Sequence, residues 1–234
     1  IPVIAALLAI TGRRTDRKPA EGSILHDLPE GLRYAFGFLP VRRILLLMAL
    51  VSLSGASYSA LLPIFAEEVL RHGSGLYAIL YAAAGIGALA GAILLAGRES
   101  VRGLSYWIAG APAVFGVGLF CLGLSRSPWL SVLVMPVVGF GMLTQMASSN
   151  TVLQTLVDDN MRGRVMSLYS MAFMGMASLG SLLSGFMARL IGAPATVLIN
   201  GLWCILGSAL FFATIKSFRG HVRPVYVKKG IVEE

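Results

Sequence analysis

The 234-residue chain reads as an all-α membrane protein of six transmembrane helices on three observations: its bulk hydropathy, the length of its charge-free stretches and the placement of its basic residues. Mean hydropathy is +0.79, with 56% hydrophobic and 13% charged residues, whereas soluble domains carry about a quarter charged. A helix needs roughly 20 apolar residues to cross about 30 Å of hydrocarbon. Six stretches reach that length without an Asp, Glu, Lys, Arg or His: Ile44–Ala66, Gly73–Gly97, Gly103–Ser125, Ser127–Val157, Val165–Ala188 and Leu190–Ile215. These are spans one to six. A soluble helical core would turn a charged stripe to water on each helix, and barrel strands would be shorter and alternate in polarity.

Of the 19 Lys and Arg, only Arg71, Arg126 and Arg189 lie in the connections after spans one, three and five. The others precede span one, follow span two (Arg98, Arg102) and span four (Arg162, Arg164), or lie in the tail. This alternation obeys the positive-inside rule and puts both ends of the bundle in the cytoplasm. The formal charge of +8 therefore reports topology, and no nucleic-acid partner is expected. The lipid bilayer is the expected surrounding.

Residues 1–11 read as the end of a truncated preceding transmembrane helix. A signal peptide would place its basic residues before the apolar run, and here they come after it. Residues 12–43 form a cytoplasmic linker, in which Leu28, Leu32, Ala35, Phe36 and Leu39 recur at helical spacing. That spacing predicts an amphipathic helix along the membrane surface, a solvated loop being the alternative. Residues 44–215 make the six-helix bundle and residues 216–234 a basic cytoplasmic tail. The connections within the bundle are short, which sets neighbouring helices antiparallel. No span holds a carboxylate pair or a His, and there is no phosphate-binding glycine loop, so no enzyme is expected. Cys121, Cys204 and the three His lack disulfide or metal spacing, so no metal and no cofactor are expected.

Spans two and five carry stripes of small side chains: Ala83, Gly87 and Gly91 in one, and Ala177, Ser181, Ser184 or Gly185, and Ala188 in the other. Helices in lipid associate by close backbone approach along such stripes. The stripes serve either contacts within this unit or contacts with another set of helices. The placement of two such spans at positions two and five fits a unit of two three-helix repeats.

In span one, helical spacing sets Ser52, Gly55, Ala56, Ser59 and Pro63 on one face and Ser54, Ser57 and Tyr58 on the other. Hydroxyls can bond their own helix carbonyls, so most of these serines read as structural and Tyr58 as the member facing a substrate, with Ser54 beside it. Span four has a polar half, TQMASSNTVLQTLV. Amides in hydrocarbon are costly unless they face protein or a water-filled path. Thr144, Ala147, Asn150, Thr151 and Gln154 share one broad face; Gln145, Ser148 and Ser149 lie on the other. The substrate-path candidates are Tyr58, Ser54, Gln145, Ser149, Asn150 and Gln154.

The text NTVLQTLVDDNMRGRVMSLY at Asn150–Tyr169 resembles a signature of the major facilitator superfamily, and within it the transmembrane secretion effector group, which is similar to enterobactin exporters. LPEGLRYAF in the linker, LGSLLSG in span five and RPVYVKKGI in the tail extend the resemblance. It implies that these six helices are the C-terminal bundle of a twelve-span bacterial inner-membrane exporter of a small organic molecule. Such a carrier works by alternating access, and an N-terminal six-helix half would be the missing partner. Spans one and four would line its cavity. Asp158, Arg162 and Arg164 match the cytoplasmic loop motif and would contact helix ends and the partner half; Arg98 and Arg102, in the degenerate loop GRESVRG, would be gating residues. A purely topogenic role for the four arginines is the alternative. No carboxylate lies within a span, so any proton-coupling group belongs elsewhere. Two other readings remain open: a non-transporting fragment of such a carrier, and the membrane domain of an ATP-driven exporter.

Overall fold

The computed structural model describes residues 24–98 and 100–230. The expected truncated helix at residues 1–11, linker residues 12–23 and tail residues 231–234 lie outside the described residues. Among the described residues every regular element is helical, and six helices are long and apolar enough to cross a membrane. The linker helix is α1 (Ile24–Gly37). Span one comprises α2 (Leu39–Val51), a π-helical turn (Ser52–Ala56), α3 (Tyr58–Ile64) and a second π-helical turn (Phe65–Val69). Spans two to six are α4 (Ser74–Ala96), α5 (Leu104–Leu124), α6 (Pro128–Leu156), α7 (Asp159–Ile191) and α8 (Ala193–Ala213); the tail is α9 (Ile215–Lys228).

Local chemistry sets the helix ends. Pro128 opens α6 and a proline stands in the first turn of α8, where a missing N–H costs nothing. The chain turns into α5 and α8 at Gly103 and Gly192, whose φ values of 81° and 86° suit a residue without Cβ. At 33 residues α7 outruns its charge-free stretch and takes in Arg162, Arg164 and Arg189. Arginine tolerates this because its apolar stem can lie along a helix while the guanidinium reaches water.

Span two packs on span four and span five on span one; span three packs on spans four and six, and span six on span one. Exchanging the first three spans for the last three leaves these main contacts unchanged. Glycine sits at each principal crossing. A Cβ on Gly87 would stand 1.8 Å from the Pro136 carbonyl oxygen, and one on Gly139 would stand 1.8 Å from that of Ala84. A Cβ on Gly116 or Gly201 would stand 2.5 or 2.6 Å from the other's carbonyl oxygen, and one on Gly180 would stand 2.0 Å from that of Leu53. Such contacts replace the hydrophobic driving force that lipid denies to helix association.

The stripe of span two is therefore spent inside the bundle: Ala83 and Ala84 are buried, and Gly91 meets Phe140 and Thr144. Span five differs. Only Gly180 and Ser184 of its middle part are buried, while Gly175 and Gly185 have open space beside them. Met171, Met174, Leu182 and Phe186 are exposed.

At the basic end of the bundle, α9 lays Ile215, Phe218, Val222 and Tyr226 inward. The helix α1 docks on the start of α7 through Gly31, against Arg164 and Leu168, and through Arg164–Glu30 at 2.8 Å. Leu32 and Phe36 of α1 remain exposed.

Candidate functional site

A π-helical turn carries one more residue per turn than an α-helix and so rotates everything beyond it. The turn at Ser52–Ala56 undoes the division of span one into two faces that a continuous α-helix would have. Ser52, Ser54, Ser57 and Tyr58 are all buried. Tyr58, 6% exposed, sets its ring edge-on to Phe115 of α5 at 6.0 Å between centroids. Gly55 makes room for Phe115, since a Cβ there would stand 2.0 Å from its ring, with the Cys204 sulfur 3.0 Å away. Cys204 is thus buried against the turn, whereas Cys121 lies exposed on α5.

The turn is held by a directional chain of hydrogen bonds across three spans. Asn200 Nδ2 of α8 donates to Ser184 Oγ of α7 at 3.0 Å, and Ser184 Oγ donates to Ser57 Oγ at 3.0 Å. Ser57 Oγ in turn donates to the carbonyl of Ser54 at 3.0 Å, inside the π-helical turn. Ser54 Oγ bonds Leu50 O at 2.8 Å, its own preceding turn. A pocket of about 350 Å³ opens beside this chain, with Ser54, Ser184 and Asn200 at its polar corner and Leu53, Met176 and Trp203 on its walls. Ser184→Ala is expected to destabilise the bundle by about 1–2 kcal/mol, because it orphans the buried Asn200 amide. Ser181→Ala, which removes only a bond to Ala177 O in its own helix, should change stability little. Equal losses in denaturant titrations of the two variants would refute a chain shared between spans.

Span four presents the opposite situation. Thr144, Gln145, Ser148 and Ser149 are buried, and Thr144 Oγ1, both Gln145 amide atoms, Ser148 Oγ and Ser149 Oγ have no hydrogen-bond partner. Gln145 is 1% exposed. A buried unpaired polar atom costs about 1–3 kcal/mol, and five of them gather here within two helical turns. Thr144 falls on the border between the two faces and joins the buried set. Gln154 and Thr151 are exposed and Asn150 half-buried, and Gln154 Nε2 donates to Asn150 Oδ1. The candidates thus divide: Tyr58, Ser54, Gln145 and Ser149 lie inside the bundle, and Asn150 and Gln154 on its outer face.

Arg162, Lys229 and Arg43 work at helix C-termini, where carbonyls lack partners and the dipole favours cations. Arg162 pairs with Asp159 at 2.5 Å and its Nε donates to Gln154 O at 3.2 Å. Lys229 Nζ covers Thr155 O and Val157 O at 2.9 and 3.1 Å, and Arg43 covers Thr214 O at 2.9 Å. Arg98 Nη2 donates to Arg102 O at 2.8 Å. Asp158 stands before α7 in extended conformation; burial first, then the nearby Asp158 carboxylate, raises the Tyr34 phenol above its usual range.

Asn200 is not among the sequence-based candidates, and Ser184 stands there only as a small residue. The criterion that picked out Gln145, an amide inside a charge-free span, would have found Asn200 too. Against known proteins, a family model described as transmembrane secretion effector, of the major facilitator superfamily, matches residues 1–220. No curated protein matches the chain.

Proposed function

We propose, from the premise that this chain belongs to the transmembrane secretion effector family of major facilitator transporters, that it exports a small organic molecule by alternating access, driven by a proton gradient. In this reading the six spans are the C-terminal bundle of a twelve-span carrier in a bacterial inner membrane, with both ends of the bundle cytoplasmic. The positive-inside distribution supports that orientation, and the exchange symmetry of the packing supports two three-helix repeats.

The observation that carries the proposal is the polar half of span four. Its inner side holds unpartnered groups, and its outer side shows Asn150, Thr151 and Gln154. Hydrocarbon would be the wrong neighbour for those amides, so the outer side faces another helix or an aqueous path. The exposed face of span five, where Gly175 stands open among Met171, Met174 and Leu182, is suited to receive helices of a partner half. The unpartnered inner groups favour an alternative arrangement of the spans in which water or substrate satisfies them. Span one supplies a bending point, since π-helical turns recur at functional sites, and Pro63 stands between its two turns. A siderophore-like or drug-like molecule fits a path offering hydroxyls and amides without charge.

Export by the full-length protein in inverted membrane vesicles tests the proposal. A dye or siderophore substrate should accumulate on imposing a proton gradient and leak out when a protonophore is added. Accumulation indifferent to the protonophore would end the proton-coupled version, and no accumulation of any candidate would end the carrier reading.

A further inference from the structure

A cleft of about 660 Å³ lies at the basic end of the bundle, between residues 101–105, Val152 of α6 and the tail helix α9. Its rim holds Arg102, Arg219 and Arg223, and its floor is made by Val101, Val152, Phe218, Val222 and Tyr226. Arg98 reaches the same rim, its Nη2 3.5 Å from where a Gly103 Cβ would stand. The three rim arginines are exposed, and among the described residues no carboxylate pairs with any of them. Arg219 instead rests 5.0 Å above the Tyr106 ring and donates to the Tyr106 hydroxyl. That contact holds one guanidinium in orientation, with no carboxylate paired to it among the described residues.

Among the described residues this rim gathers arginines without a carboxylate, and such a one-sign patch draws anions. Helix capping accounts for Arg43, Arg162 and Lys229, but among the described residues Arg102, Arg219 and Arg223 donate to no helix-end carbonyl. Guanidinium groups bind phosphate oxygens in paired hydrogen bonds. The cleft adds an apolar lining beside the charge, from Val101, Val152, Phe218, Val222 and Tyr226. An amphiphile satisfies both, with its phosphate on the arginines and its glycerol and upper chain on the apolar floor.

We propose that this cleft binds a phosphate-bearing anion, namely the phosphodiester headgroup of an anionic lipid at the membrane surface. The site takes phosphatidylglycerol in preference to phosphatidylcholine, whose trimethylammonium would approach the rim arginines. The tail helix is then a lipid-clamped element, held on the bundle by its apolar face and by the lipid through Arg219 and Arg223. Basic pockets beside the cytoplasmic ends of membrane helices are suited to headgroup recognition.

The test uses the full-length protein in neutral detergent, with phosphatidylglycerol or phosphatidylcholine added and bound lipid counted by native mass spectrometry. Phosphatidylglycerol should be retained selectively, and R102Q/R219Q/R223Q should reduce that retention at least about tenfold, each basic residue contributing separately. The matched variant R71Q/R126Q/R189Q at the opposite end should retain it. Should the triple variant fail to fold, R223Q alone serves, because Arg223 makes no hydrogen bond or ion pair among the described residues. It should lower retention at least about threefold. Free glycerol 1-phosphate provides the arm for a soluble source: displacement of the lipid by it at low concentration would assign the phosphate site to a soluble ligand, and failure to displace assigns it to lipid. Equal retention of the two lipids, or full retention by the arginine variants, would overturn the proposal.

Discussion

Gln145→Leu in the full-length protein is expected to cut export at least about tenfold, a loss of about 1.4 kcal/mol in transition-state terms, while leaving the bundle as stable as before or more so. The two halves of this expectation have one cause. Gln145 is buried, and both atoms of its amide lack a partner. In this arrangement of the spans the amide contributes no hydrogen bond, so an apolar side chain of similar volume removes an unpaired-group penalty of about 1–3 kcal/mol. On the proposed alternating-access reading, water or substrate meets this amide in another arrangement of the spans. Thermal unfolding of the purified variant and vesicle export, measured on the same preparation, check both halves. A fall in stability with normal export would make Gln145 a structural amide with a protein partner and remove it from the path. Ser149→Ala should follow the same pattern more weakly, since a hydroxyl forfeits fewer bonds than an amide.

Gly139→Val is expected to prevent the bundle from assembling. Its first added carbon would stand 1.8 Å from the Ala84 carbonyl oxygen and 3.0 Å from the Ala84 Cα. Both are backbone atoms of the facing helix, so no side-chain rotation relieves the overlap. Overpacking in cores costs typically about 1–3 kcal/mol when side chains can move, and here the helices must separate, losing the close contact that holds span two to span four. The facing substitution Gly87→Val should act alike, against Pro136. By contrast Gly185→Val, with open space around it, should leave the six-helix unit folded. Size-exclusion chromatography of fluorescent fusions measures the outcome, as a monodisperse peak for Gly185→Val and its absence for Gly139→Val. If Gly185→Val also folds in the full-length protein yet blocks export, the open face of span five is a working contact with other helices. If Gly139→Val yields a normal peak, the crossing of spans two and four is looser than the geometry gives.

Six spans, their approximate limits and the all-helical class were legible in the sequence because lipid allows few solutions. A backbone in hydrocarbon must satisfy its own hydrogen bonds, so a charge-free run of about 20 residues is a helix. The small-residue stripe of span two was visible for the same reason, as an i, i+4 repeat. Its destination was not, because Gly87 and Gly91 would serve a contact with span four or with helices elsewhere equally well. Only the packing assigned span two's stripe inward and left Gly175 and Gly185 of span five open. The faces of span one were read from a 3.6-residue period, and the π-helical turn at Ser52–Ala56 rotates Tyr58 and Ser57 away from the places that period assigns. Nothing local in SLSGA announces that turn, since it is stabilised from outside by Gly180 on Leu53, Phe115 on Gly55 and the chain from Asn200 through Ser184 to Ser57. Likewise the sequence marked Gln145, Ser149, Asn150 and Gln154 as polar residues in a costly place. Tertiary packing separated them into an unpartnered buried set and an outward pair. Hydropathy is a property of each residue and its solvent, and so it can be read along a chain. Which side of a helix is covered depends on partners distant in sequence, and that was decided only when the six helices came together.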